Sequence, residues 1–125
     1  MAVTAVLLVL LLASDASAQL PPKWIALYEG TSRACDGSRL IMKASTVSLD
    51  DCRSVKYRVV TVSETQLIFE VDPKAKCGWA EWLIALTEIP PGNVGFEVTA
   101  YRSREKQQAK EYSSYCVYMK RVPDD

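Results

Sequence analysis

Four cysteines, Cys35, Cys52, Cys77 and Cys116, stand at wide intervals along a chain that contains no histidine. No other feature constrains the fold as much. With no C-x-x-C pair and no imidazole, the four thiols do not make a zinc site. Their even number points instead to two disulfides, with three connectivities open. Each bridge closes a loop of some tens of residues and contributes about 3–4 kcal/mol in the chain-entropy model. A small domain gains materially from such staples, because its own core is modest.

Disulfides require an oxidising compartment, and the N-terminus suggests the route to one. Residues 1–18, MAVTAVLLVLLLASDASA, run apolar from Ala2 to Ala13 and end in Ala16-Ser17-Ala18. This is the pattern of a secretory signal peptide with cleavage before Gln19. Residues 19–125 are then expected to form a single secreted, extracellular domain. No later segment has the roughly 20 apolar residues of a membrane helix, so no stable membrane insertion is expected. The 15 basic and 15 acidic residues balance, which argues against a nucleic-acid partner. The only asparagine, Asn93, is followed by Val94 and Gly95, so no N-glycosylation site is present.

Along the chain, Leu20-Pro21-Pro22 reads as an extended lead-in and Trp24–Tyr28 as a strand. A polar loop over residues 31–38 carries Cys35, and Arg39–Lys43 makes a second strand. Ser48-Leu49-Asp50-Asp51 has a helix-start pattern, with a capping serine and two acids at the positive end of the dipole. A short helix through Ser54 is expected there, tethered by Cys52. The stretch Val47–Cys52 resembles the opening of the disulfide-bearing helix in PAN/apple modules, although the closely spaced cysteine that follows there is absent here.

From Val55 a β-branched run and then the apolar run Leu67–Val71 flank Ser63–Gln66 and predict a hairpin. In Trp79–Leu86, residues 79, 82, 83 and 86 fall on one helical face, but the run also fits a buried strand, which its short length favours. A strand puts Trp79 and Trp82 on opposite faces and points Glu81 outward. Pro90–Asn93 is a turn. In the strand Val94–Tyr101, residues Val94, Phe96, Val98 and Ala100 share a face. Arg102–Glu111 is an exposed connection or short polar helix, and Tyr112–Lys120 is the last strand. The fold class is therefore mainly β. It is expected to be a small antiparallel sheet, a sandwich or partly open barrel of six to seven short strands with one short helix, stapled by two disulfides.

Catalytic signatures are sparse. Without histidine neither Ser-His-Asp nor Cys-His chemistry is available, and neither a phosphate-binding glycine loop nor an EF-hand is present. Asp50 and Asp51 read as helix-terminal charges rather than a catalytic pair. No enzyme activity, cofactor or metal is expected. The three tryptophans and six tyrosines are more informative, since such rings offer rigid contact area with a polar tip. Most of them belong in the core of a small β protein. Trp79, Trp82, Tyr101, Arg102, Arg104 and Lys106 make up the candidate binding surface. The function expected is a monomeric, non-enzymatic module that recognises an extracellular protein or glycan. The alternatives are a constituent of an extracellular or mineralised matrix and a carrier of a small apolar ligand. The carrier reading is weakened by the strand count, because a ligand-enclosing barrel needs about eight strands.

Overall fold

The alternation of apolar and polar residues curls this chain into one sheet that closes on itself. A computed structural model describes residues 20–50, 52–90 and 94–121. The expected signal peptide and the centre of the Pro90–Asn93 turn lie outside the described residues. Eight antiparallel strands follow in order: β1 (Ala26–Gly30), β2 (Arg39–Met42), β3 (Thr46–Leu49), β4 (Cys52–Val62), β5 (Gln66–Val71), β6 (Leu83–Ile89), β7 (Gly95–Tyr101) and β8 (Ser114–Arg121). Each strand pairs with its neighbour in sequence, and β1 closes against β8 with Tyr28 opposite Lys120 and Gly30 opposite Tyr118. The result is an up-and-down barrel that leaves no free edge. The mainly β class is as expected, and the count of strands is eight rather than six or seven.

Inward-facing residues fill the barrel. Trp24, Tyr28, Leu40, Met42, Phe69 and Phe96 are fully buried, and no buried polar or charged side chain occurs among the described residues. The barrel has two unlike ends. One is sealed by a 3₁₀ turn, Pro22–Trp24, whose Trp24 ring meets Phe96 edge-on at 5.8 Å. Tyr28 also meets Phe96 edge-on at 5.3 Å and donates its hydroxyl proton to the Trp24 carbonyl at 2.8 Å. Pro22 starts this turn rather than extending the lead-in, since a proline lacking N–H suits a first helical position. The opposite end gathers the longer connections, residues 31–38, 72–82 and 102–113.

Several local expectations are corrected. The helix expected from Ser48 is a hairpin. Val47 and Leu49 point inward opposite Met42 and Leu40, and Leu49 pairs with Cys52 across the two-residue turn. Asp50 takes a positive φ of 50°, a conformation that aspartate tolerates, and Ser48 accepts from the Ser54 N–H at 2.8 Å rather than capping a helix. The short helix is α1 (Arg104–Gln108), capped by the Ser103 hydroxyl, which accepts from the Lys106 N–H. Trp79–Trp82 forms turns ahead of β6, with Glu81 at a φ of 71°, so the strand starts only at Leu83. In β7, Phe96, Val98 and Ala100 face inward as expected, while Val94 precedes the strand and is exposed.

The disulfides are Cys35–Cys116 and Cys52–Cys77, with Cα–Cα distances of 6.2 and 5.5 Å. Both lie at the loop end. Gly30 permits the first: a Cβ there would sit 2.1 Å from the Cys35 carbonyl oxygen, so only glycine admits the loop so close to β1. Two disulfides in so small a domain are typical of extracellular proteins.

Candidate functional site

The loop end of the barrel is built from three connections that have no core of their own and are held by covalent and polar ties. The 31–38 loop is bonded to β8 through Cys35–Cys116, and the 72–82 loop to the start of β4 through Cys52–Cys77. Further ties reinforce the first contact. The Thr31 N–H donates to the Val117 carbonyl at 2.9 Å, and the Val117 N–H donates to the Ser32 hydroxyl at 3.1 Å.

Between these loops lies a small cleft of about 200 Å³. Ala100 and Ser114 are short inward residues at the strand ends and leave the space that a larger side chain would fill. Leu49 and Ile84 supply apolar wall, Trp79 an aromatic side, and Ser38 and Asp50 a polar rim. The Asp50 carboxylate accepts from the Ser38 hydroxyl at 3.0 Å and from the Arg39 N–H at 3.2 Å. Ser38 has one proton and commits it to a carboxylate, so it receives the Tyr118 proton at 2.8 Å. Burial raises the Tyr118 pKa above that of a free phenol, outweighing the lowering by the Ser38 contact, so the phenol stays protonated as this donor. The chain Tyr118, Ser38, Asp50 therefore clips β8, the first loop and the β3–β4 turn together. Its acceptor-rich outer end can receive hydrogen bonds from a ligand.

The candidate binding residues all fall at this end, in unequal positions. Trp79 and Trp82 touch edge-on at 4.9 Å, both half-buried against the core. They therefore share one cluster instead of lying on opposite faces of a strand. Arg102 lays its guanidinium 5.2 Å from the Trp82 ring, a contact worth about 0.5–1 kcal/mol at a surface. Tyr101 sits opposite Leu83 on the outer face of the sheet, against a small apolar cluster with Ile68 and Ala85. Arg104 and Lys106 extend from α1, where Lys106 pairs with Glu111 at 2.9 Å. The structure thus joins Trp79, Trp82 and Arg102 into one continuous patch and places the other three beside it.

Sequence reasoning missed the rim of Ser38, Asp50 and Tyr118. The signal for Asp50 was misassigned, because an aspartate at a tight turn and one at a helix start look alike over four residues. No group of three His, Cys, Asp or Glu among the described residues is placed to hold a metal. No helix among them is long and apolar enough to cross a membrane.

Comparison with known proteins finds no family model that matches the chain, no curated relative and no similar solved structure.

Proposed function

We propose that this chain is a secreted, non-enzymatic binding module that recognises an extracellular protein or glycan through the loop end of its barrel. The observation that carries this reading is the pinning of two of the three long loops by disulfides at one end, beside the Trp79–Trp82–Arg102 patch. Loops fixed in place by a rigid scaffold lose little entropy on binding, and an aromatic pair beside an arginine has the composition of an interaction hot spot.

The carrier reading gains the eight strands it needed but finds less support inside them. The interior is packed with large side chains, and the cleft of about 200 Å³ falls below the ~300–1,000 Å³ typical of small-molecule sites. The matrix reading loses one support, since all four cysteines are paired within the chain.

The test is an array of purified extracellular proteins and glycans, followed by affinities for the ligands recovered. Arg102→Ala combined with Trp82→Phe is expected to weaken binding more than about tenfold. Val62→Ser with Glu64→Ala, at the sealed end, is expected to leave it unchanged. A ligand whose affinity follows the sealed end, or turnover of an arrayed glycan, overturns the reading.

A further inference from the structure

We propose that the outer face of β2, β3 and β4 is a second binding surface, a groove that takes a linear sulfated polysaccharide. Its shape follows from side-chain length. The outward residues of β3 are Thr46 and Ser48, both short; β2 turns Arg39 and Ile41 outward, with Lys43 just past its end on the same side, and β4 turns Arg53 and Lys56 outward. Strands lie about 4.8 Å apart, so the two basic rows stand about 10 Å from each other across a hydroxyl-lined floor. Arg39 and Lys43 are about 13 Å apart along their strand by the same geometry. The depression, lined by Arg39, Ile41, Lys43, Ser48, Asp50 and Arg53, has a volume of about 460 Å³, and a separate hollow lies past Thr46 beside Lys56 and Arg58.

The charge of this face is unbalanced in a chain that is neutral as a whole. Arg39, Lys43, Arg53 and Lys56 are all exposed, and none pairs with a carboxylate among the described residues. Arg58 is neutralised by Glu70. The described acids beside the loop end of the groove include Asp50, whose carboxylate accepts from Ser38 and the Arg39 N–H, and Glu29, which lies opposite Arg39 on β1 and pairs with Arg121. Ser48 accepts from the Ser54 N–H, which leaves its own proton to donate to a ligand oxygen.

A ligand that matches this surface is narrow, linear and negatively charged along both edges, with oxygens to meet the floor. A sulfated sugar chain has all four properties. A planar lipid surface would meet only the convex rims of the barrel and leave the floor unused. The paired disulfides, typical of extracellular proteins, favour sulfate over the phosphates of nucleic acid. The groove lies on the side of the barrel, so this proposal stands independently of the loop-end reading.

The experiment measures binding of a heparin-derived hexasaccharide to the disulfide-bonded protein at about 50 and 150 mM salt, which spans a real change in screening. Binding is expected, and it is expected to weaken steeply with salt. The double variant Lys43→Glu/Arg53→Glu is expected to lose more than about tenfold in affinity, and Lys43→Gln/Arg53→Gln a smaller amount. Lys76→Glu/Lys110→Glu, an equal charge change on exposed residues outside both proposed surfaces, is expected to stay within about twofold of the parent. Thermal melts confirm that each variant is folded, and the neutral pair serves if the reversed pair is not. Equal losses in the groove and control variants, no binding of the hexasaccharide, or tighter binding of phosphatidylserine vesicles or a single-stranded RNA oligomer would overturn the proposal.

Discussion

At the scale of single residues, Tyr28 shows how one side chain serves packing and polarity together. Its ring fills the sealed end against Phe96, and its hydroxyl satisfies the Trp24 carbonyl. Tyr28→Phe keeps the ring and leaves that carbonyl without its donor, a cost of about 1–3 kcal/mol. A small domain should then melt several degrees lower, at about 4–8 °C per kcal/mol. Burial raises the Tyr28 pKa far above that of a free phenol. In the unfolded chain the phenol ionises near pH 10, while in the fold it keeps its proton. The unfolded state therefore binds fewer protons above that pH, and stability falls as pH rises. Because the chain has no histidine, no side chain of ordinary pKa titrates between about pH 5 and 8. Urea unfolding across pH should show a decline beginning near pH 10 in the parent. Tyr28→Phe should show a shallower one, with Tyr57 and Tyr118, also raised by burial, supplying the remainder. An unchanged alkaline decline would contradict this assignment.

At the scale of elements, the β3–β4 hairpin and the 72–82 loop show local signals losing and winning. Ser48 to Asp51 carries a helix-start pattern of four residues, but Thr46 to Leu49 also alternates polar and apolar. Burying Val47 and Leu49 in the barrel decides between them, because a capping contact is worth about 1 kcal/mol and each buried aliphatic side chain about 1.5–3 kcal/mol. The β4–β5 hairpin was legible in advance, since a β-branched run and an apolar run flank a polar turn. The 72–82 loop folds through its bridge rather than through a local pattern. Cys52–Cys77 spans 25 residues, worth about 3.5 kcal/mol in the chain-entropy model. Replacing both cysteines by serine should lower stability by about that amount. It should also loosen Trp79 and Trp82, seen as faster quenching of tryptophan fluorescence by iodide. Unchanged quenching would mean that core contacts alone hold the pair. Cys35–Cys116 spans 81 residues and is worth about 4.5 kcal/mol on the same scale.

At the scale of the whole molecule, closure of β1 on β8 turns a sheet into a barrel with one sealed end and one looped end. The looped end carries the proposed recognition patch, and the basic groove runs along the side. Both readings depend on an extracellular location. The secreted product should accordingly begin at Gln19, run as a monomer, and titrate no free thiol before reduction. Intact mass under non-reducing and reducing conditions checks all three. Disulfide-linked multimers would shift the weight to a matrix role, and a retained leader would remove the extracellular premise.

The amino-acid sequence by itself determined the β class, the β4–β5 hairpin, the inward face of β7 and the presence of two bridges. Each of these is written within a few residues, as period-two alternation, β-branching or cysteine count. The tertiary structure alone decided which cysteines pair, that eight strands close, and that Tyr28 lies opposite Lys120. It also decided that Trp79 and Trp82 meet, and that the short residues of β3 lie between the basic rows of β2 and β4. These are distances between residues far apart in the chain or in adjoining strands. They are set by how large side chains share one interior, which no local run of sequence encodes.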